Sequence, residues 1–453
     1  MAVTLSTAKD ALIKFIAFSL MLFFILIFGF FLSAPMPTII KLALFFLPAL
    51  ILTFMLDPLL ILMCFFLVYP ELELFGGMLK YFNALTIVLA FFVVTGSRDK
   101  ISFCSERLKY YYLFILVAAL SIAYSTSRTD SLYTVIKLIS FISVYLICYN
   151  LLKTKKDGAK LLICFPLATI VPLGYGFYQK LSGQVYKVAA SGLERYTSFF
   201  AIANSFSRFL LTTFIASVPL YFLVSKRKNY LLGVIAFFSV FSIGLLGVRS
   251  IWIMLVFNFF CLGYYIPKMR KYILLLVLFM SVALLGTFVQ GFQRIFNPDI
   301  SRIMRGKTGE TIYRRLDWWE NALTKVIPQR PILGYGIGTS EGEAQEESQA
   351  GKAFGWSPHN DYLRILVETG IAGFIPFLLF VITNLHKLHK NIKSFAENKY
   401  FNVCAFALFA TFAIMMLAAP VFFNTVYIWY FFGFLAIADK LNYLEKQGLA
   451  ANV

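Results

Sequence analysis

Three polar side chains of this sequence could carry chemistry together. They are Arg249 between two apolar runs, Arg315 in a long polar segment, and His359 in the stretch SPHNDYLRILVETGIAG. Arginine binds oxyanions through two parallel donors and keeps its proton. Histidine can take a proton from a hydroxyl near neutral pH. The three residues could therefore bind an anion and move a proton in one site, provided that the fold brings them together.

The elements that must position these residues are membrane helices. Of the 453 residues, 60% are hydrophobic and 14% are charged, which is unlike a soluble domain. Because about 20 apolar residues span a hydrocarbon core as a helix, the apolar runs predict an all-α integral membrane protein with about 12 to 14 transmembrane helices. The lower number applies if the runs 38–56 and 58–70 form a half-spanning pair.

The basic residues set the predicted orientation of these helices. The formal net charge of +19 is dispersed in short clusters and not in one stripe, so nucleic acid is not expected as a partner. The clusters fall in alternate loops, which predicts that those loops face the cytoplasm. The basic loops lie at 98–109, 153–160, 226–228, 268–271 and 387–399, and the loops poor in basic residues lie at 33–38, 70–77 and 419–424.

One long polar segment is predicted to be external by this alternation. We expect three regions: residues 1–292 with transmembrane helices and a short external loop near 180–198, residues 293–361 as a periplasmic loop, and residues 362–453 with the last transmembrane helices and a cytoplasmic tail. Within the long loop an interfacial amphipathic helix is predicted at about 311–326. Its apolar face would consist of Ile312, Leu316, Trp319, Leu323 and Val326.

Two sequence patterns that could indicate cofactors do not do so here. Gly334, Gly336 and Gly338 follow the amphipathic helix, but a dinucleotide fingerprint needs a preceding buried strand and a following helix, so a turn is the better interpretation. The six cysteines lie in apolar runs or in a loop assigned to the cytoplasm, which predicts neither a disulfide framework nor a zinc site. We therefore expect no cofactor and no metal.

The residues that begin at His359 resemble the signature of a known family. His359 and Asn360 are followed by nine residues, then Gly370, two residues and Gly373. This spacing fits the pattern H[NSQ]x9Gxx[GTY] of the O-antigen ligase and polymerase family completely.

Weaker resemblances lie upstream of the histidine motif. The segment 315–336 is similar to the R-x-x-x-W…P-x-x-G-x-G block of the same family. Arg249 stands where members carry a Ser-Arg pair, with Val248 in place of the serine, and Arg195 with Asn204 loosely resembles a block of the form R…F-x-x-x-N. The first half of the chain resembles the family only in hydropathy.

The resemblance implies a membrane-embedded fold of the GT-C type and an inverting glycosyl transfer without metal or nucleotide sugar. The donor would be a glycan linked to undecaprenyl diphosphate, and the acceptor a hydroxyl at the periplasmic face of the bacterial inner membrane. In this scheme His359 is the general base, and Arg249 and Arg315 bind the diphosphate. The expected substrate-binding residues are Arg195, Arg208, Asn204, Asn360, Trp319 and Tyr196, the last two by stacking on sugar rings.

Several functions remain open at this point. A ligase would use lipid A-core as acceptor, whereas an O-antigen or exopolysaccharide polymerase would use a second lipid-linked glycan. The single dominant external loop favours the ligase. Relatives that glycosylate proteins share the signature. A polysaccharide transporter or flippase would be expected to show internal repeats. A peptidoglycan polymerase would use an external acid, for which Asp317 and Glu320 are available.

Overall fold

The structure is a computed structural model that describes residues 57–75, 78–96, 107–187, 194–223, 226–270, 312–340 and 359–448. The predicted apolar runs before residue 57 and at 272–292 lie outside the described residues. The described part is helical apart from turns and one short ladder, in which Tyr186–Lys187 (β1) pairs antiparallel with Glu194–Arg195 (β2). The predicted all-α membrane fold is confirmed.

The helices are numbered in chain order. The first six are α1 (Pro58–Val68), α2 (Met78–Gly96), α3 (Lys109–Ser121), α4 (Arg128–Leu151), α5 (Lys155–Leu167) and α6 (Ile170–Leu181). The next three are α7 (Ala203–Leu223), α8 (Lys226–Leu246) and α9 (Arg249–Tyr265). The last four are α10 (Ile312–Asn321), α11 (Asp361–Ser394), α12 (Lys399–Met415) and α13 (Thr425–Lys446).

Four helical stretches in the described residues are long and apolar enough to cross a membrane, namely Arg128–Leu151, Lys155–Leu181, Ala203–Leu223 and Asp361–Ser394. The second of these is α5 followed by α6. Helix α1 has 11 residues and a length of about 16 Å, which is roughly half of a hydrocarbon core. The half-spanning alternative for the run 58–70 therefore agrees with the length of α1.

Hydrogen bonds between distant residues define two ends of the helical bundle. At one end, here called the basic end, Lys155 forms an ion pair with Glu397, and Glu445 accepts hydrogen bonds from the backbone of residues 397–398. At the other end, here called the site end, α4 and the first half of α11 contact the segment 312–340, and the start of α7 contacts Asn424. Residues 155 and 397, in two loops predicted to be basic, thus lie at the basic end, while residues 419–424, predicted to be external, lie at the site end.

A buried ion pair ties three helices together at the basic end. The Nε and Nη2 atoms of Arg107 lie 2.6 and 2.7 Å from the two carboxylate oxygens of Asp439 on α13. Tyr145 of α4 donates to the same carboxylate, and Asn384 of α11 accepts from Arg107. Arg107 belongs to a loop predicted to face the cytoplasm, yet its side chain is 0% exposed because this network replaces water.

Helix α11 is interrupted by a kink, and the glycine run packs against the helix at this kink. Gly370 has φ 61° and ψ −167°, so the helical hydrogen bonds stop there. The freed carbonyls of Val367 and Glu368 accept from the backbone N–H groups of Tyr335 and Gly336, at 3.1 and 2.8 Å. Residues 371 and 372 donate in return to the carbonyls of residues 331 and 332. The segment 331–336 therefore lies against α11 like an added strand.

Glycine is required on both sides of this contact. Gly334 has φ 68°, and a Cβ atom there would lie 2.6 Å from the backbone of Glu368. Gly336 has φ 107°, and a Cβ atom would lie 2.5 Å from the side chain of Ser125. Further along the run, Ile337 donates its N–H to Ser121 and accepts from Ser131. The glycine run is therefore a turn, as the sequence predicts, and it packs against α11 and α4.

A helix is present in the range predicted for the interfacial helix, as α10, and it continues through a π-helical turn over Ala322–Val326. Ala322 and Val326 are buried against Tyr335 and Val367. Leu316 and Leu323, predicted on the same face as Val326, are instead about half exposed. The wider turn changes the angle between successive residues, which explains why one apolar face does not run the full length.

We expect Gly370→Ala to lower the apparent melting temperature of the purified protein. An alanine at φ 61° is strained, and its Cβ would clash with the carbonyl of Ile332, at a cost of about 2 kcal/mol or more. A thiol-reactive dye can report unfolding because the five cysteines of the described residues are free and buried. Gly244→Ala in α8 has open space around its Cβ and should leave the melting temperature unchanged or raise it.

Candidate functional site

The loop between α12 and α13, Met416–Asn424, is the structure on which the predicted site residues meet. Its sequence is largely apolar, and it contributes backbone groups more than side chains. The carbonyls of Ala418, Pro420 and Phe423 accept hydrogen bonds from cationic side chains of three other elements. This loop, called the α12–α13 loop below, therefore gathers positive charge at the site end.

Asp361, the first residue of α11, holds the α12–α13 loop in place. Its carboxylate oxygen Oδ2 accepts from the backbone N–H groups of Val421 and Phe422, at 2.6 and 2.7 Å. Its own N–H donates to the carbonyl of Met416 at 2.8 Å. Asp361 is fully buried, so these charge-assisted bonds are shielded from water. The start of α11 and the loop are consequently one unit.

Two predicted arginines contact successive parts of this loop. Arg315 on α10 donates from Nη1 to the carbonyl of Ala418 at 3.2 Å. Arg208 on α7 donates from Nη1 to the carbonyl of Pro420 at 2.7 Å and to the hydroxyl of Tyr427 at 3.3 Å. Because these carbonyls are two residues apart, the structure brings Arg208 and Arg315 together although 107 residues separate them in sequence.

His359 stands immediately before α11, two residues from Asp361. Its backbone has φ 47°, which is rare for a residue with a side chain and costs about 1 to 3 kcal/mol. The ring lies parallel to that of Trp318 on α10, with centroids 6.3 Å apart and 15° between the planes. The next residue, Asn360, caps α11 by accepting from the N–H of Leu363. This cap and Asp361 fix the position of the histidine.

Arg195 and the backbone of Arg249 lie close to the same turn at the site end. Arg195 donates from Nη2 to the carbonyl of Gly247 at 2.9 Å, in the turn that leads into α9. Arg249 is the first residue of α9, as its predicted place in a tight turn requires. Tyr196 is 1% exposed and packs on Phe206, and burial raises the pKa of its phenol. Tyr196 therefore supports this group from inside the protein.

Helix α7 connects the two groups. Its second residue, Asn204, is half-buried, and Ser205 accepts from the side chain of Asn424 at 2.7 Å, so the first turn of α7 touches the α12–α13 loop. Arg208 lies one turn further along α7. Trp319 is half-buried on α10, next to the Trp318 ring that faces His359. All predicted site residues in the described part consequently lie at one end of the bundle.

Two of the arginines at this end, Arg208 and Arg195, lie away from the carboxylates of the described residues. Arg208 is 3% exposed, and within the described ranges neither Arg208 nor Arg195 has an acidic oxygen within salt-bridge distance. The Nε atoms of both arginines are buried without a hydrogen-bond acceptor among those residues. A buried cation without a counter-charge costs free energy, which an anionic ligand would recover. The arrangement can therefore bind an anion such as a phosphate.

Three acidic or basic residues of α11 were missed by the sequence reasoning. Besides Asp361, these are Arg364 and Glu368, which form a buried ion pair at 3.0 Å. Glu368 also accepts from the N–H groups of Gly338 and Ser340, while Arg364 lies over the ring of Phe423 at 3.8 Å. The pair thus connects the glycine run to the α12–α13 loop. The i, i+4 spacing of Arg364 and Glu368 on an otherwise apolar helix is the sequence signal that could have identified this ion pair.

We expect Asp361→Asn to loosen the α12–α13 loop. An amide accepts the two backbone hydrogen bonds without charge assistance, so amide hydrogen exchange in residues 416–424 should rise roughly tenfold. Glu445→Gln is a matched control, because Glu445 also accepts from two successive backbone N–H groups, at the basic end. It should raise exchange only near residues 397–398. Unchanged exchange at 416–424 in Asp361→Asn would refute the role of Asp361.

Comparison with known proteins shows which families and relatives this chain is similar to. Residues 234–378 match the family model described as O-antigen ligase, a range that contains Arg249, Arg315 and His359. An uncharacterized protein of Haemophilus influenzae is 24% identical over 320 residues, covering 66% of this chain and 76% of that protein. A candidate polysaccharide ligase of Rickettsia conorii is 34% identical over 110 residues, covering 22% of this chain and 25% of that protein.

These similarities support an enzyme of the polysaccharide ligase type in a multi-pass membrane protein. The resemblance inferred from the histidine motif is confirmed: residues 234–378 of this chain match the O-antigen ligase family.

Proposed function

We propose that this protein is an inverting membrane glycosyltransferase that moves a glycan from undecaprenyl diphosphate to an acceptor hydroxyl at the periplasmic face of the inner membrane. The acceptor is most simply lipid A-core, as for an O-antigen ligase. The finer assignment rests on the match of residues 234–378 to that family and on the chemistry of the arginines. It requires neither a metal nor a nucleotide sugar.

The observation that carries the proposal is the buried guanidinium group of Arg208, which has no carboxylate partner in the described part of the chain. Arg315 contacts the same loop two residues away, and the two groups can share one dianionic ligand. A diphosphate is such a ligand, and arginine suits its planar arrays of oxygens. A transporter would not need an imidazole beside this charge, whereas a transferase would.

The proposed reaction assigns one role to each residue. The imidazole of His359 takes the proton from the acceptor hydroxyl as its oxygen attacks the anomeric carbon from the face opposite the diphosphate. The bond between that carbon and the diphosphate oxygen breaks, and its electrons leave with the diphosphate. Arg208, Arg315 and Arg249 stabilise the charge that develops there, with Arg195 as a further contact. The single displacement inverts the anomeric configuration.

We expect substitutions at the site to reduce transfer strongly in a purified system. The assay contains glycan linked to undecaprenyl diphosphate, lipid A-core and a metal chelator. His359→Ala and Arg315→Met should each lower the turnover rate about a hundredfold, equivalent to about 3 kcal/mol of transition-state stabilisation. Arg208→Lys should retain more activity than Arg208→Met, because the ammonium keeps the charge but loses the planar donor pair.

Arg270→Gln is the control for loss of positive charge, since Arg270 donates to the carbonyl of Gly263 at the basic end. It should transfer at the wild-type rate. Products distinguish the acceptors: glycan on lipid A-core indicates a ligase, and lengthened glycan on the carrier lipid indicates a polymerase. Full activity of the His359→Ala protein would contradict the proposed mechanism. Wild-type transfer that occurs only when the chelator is left out of the assay would also contradict it.

A further inference from the structure

The turn that precedes the glycine run exposes two large apolar side chains. Ile332 is 67% exposed and Leu333 is 52% exposed, immediately after Pro331. The turn is not loose, because the carbonyls of residues 331 and 332 accept from α11 and that of Leu333 accepts from the hydroxyl of Tyr124. A firmly held turn that presents isoleucine and leucine outward indicates an apolar environment.

This turn continues the lipid-facing surface of two neighbouring helices. Helix α3 exposes a stripe at helical spacing, and α11 exposes a second stripe below its kink. The exposed residues are Leu113, Leu116 and Leu120 on α3 and Ile371, Ile375 and Ile382 on α11. Ile371 donates its backbone N–H to Pro331 at 2.9 Å, so the turn sits directly at the top of the second stripe. Apolar stripes on membrane helices face acyl chains.

Exposed arginines flank the same turn. Arg330 precedes it, with its guanidinium 5.0 Å from the ring centre of Tyr335. Arg128 begins α4 and reaches the carbonyl of Ala123, next to Tyr124. Partial burial raises the pKa of Tyr124, and the charge of Arg330 acts in the opposite direction. Neither arginine has an acidic partner in the ranges that the structure describes.

We propose that the tip Arg330–Leu333, together with Arg128, binds an anionic phospholipid of the outer leaflet, with Ile332 and Leu333 among the acyl chains and the two arginines at the phosphate. The apolar side chains of the tip match the acyl chains of such a lipid, and the neighbouring arginines match its phosphate headgroup. The surface is separate from Arg208 and His359 and does not depend on the proposed transfer reaction. It holds the segment that carries α10 at the membrane surface.

Immersion of the tip is tested with a nitroxide spin label at Leu333→Cys in lipid nanodiscs. Collision with oxygen, which concentrates in acyl chains, is compared with collision with a water-soluble nickel chelate. We expect oxygen to be favoured, as for a label at the lipid-facing position Ile375→Cys, whereas the label at the exposed position Lys325→Cys should favour nickel. Wild-type protein treated with the same nitroxide reagent measures the background signal from labelling of the native cysteines.

Two results of that measurement would overturn the proposal. A label at residue 333 that favours nickel as strongly as the label at residue 325 would show that the tip lies in water. Spectral broadening by coupling between labels, lost on dilution with unlabelled protein, would show that a second copy of the chain covers the tip.

The charge component has its own measurement. Wild type in discs of mixed phosphatidylglycerol and phosphatidylcholine should retain phosphatidylglycerol on extraction, as counted by native mass spectrometry. Arg128→Gln with Arg330→Gln should reduce this retention by about fivefold for each arginine. Arg270→Gln with Lys325→Gln is the matched control and should not. Equal retention by both double variants, or displacement of the lipid by inorganic phosphate, would refute binding of the lipid headgroup.

Discussion

The carboxylate of Asp361 provides the interaction on which the site depends. It fixes two backbone N–H groups of the α12–α13 loop at the first residue of α11, one position after the Asn360 cap. The loop then offers carbonyls to Arg208 and Arg315, and the start of α11 positions His359. One buried carboxylate thus sets the distance between groups that belong to three helices, while Arg364 and Glu368 connect the same unit to the glycine run.

Two buried arginines, Arg107 and Arg208, differ in how their charge is compensated. At the basic end Arg107 is matched by Asp439 and by further hydrogen bonds, so this arginine is a structural element. At the site end Arg208 is equally buried, but in the described residues its donors meet only a carbonyl and a phenol. The difference has a physical meaning. Removing the partner of a buried ion pair destabilises a fold, and a buried cation without a counter-charge costs free energy that an anionic ligand can recover.

Hydropathy was enough to predict the helical membrane fold, and the predicted site residues that the structure describes lie at one end of the bundle. The motif that begins at His359 includes Gly370, and the structure explains why a glycine stands there. Gly370 is the residue at which α11 kinks and at which the segment 331–336 packs. The α12–α13 loop could not be predicted, because it contributes carbonyls and N–H groups that any sequence possesses. The pairing of Arg107 with Asp439 could not be predicted either, since it joins residues 332 positions apart.

The central claim, that Arg208 and Arg315 share one diphosphate beside His359, is tested most directly by an electron cryomicroscopy structure of the full chain with undecaprenyl diphosphate in a lipid disc. We expect the phosphate groups to lie within hydrogen-bond distance of both guanidinium groups, with His359 facing the end from which a glycan would leave. A diphosphate bound at the basic end, or at the site end out of reach of both arginines, would contradict this account.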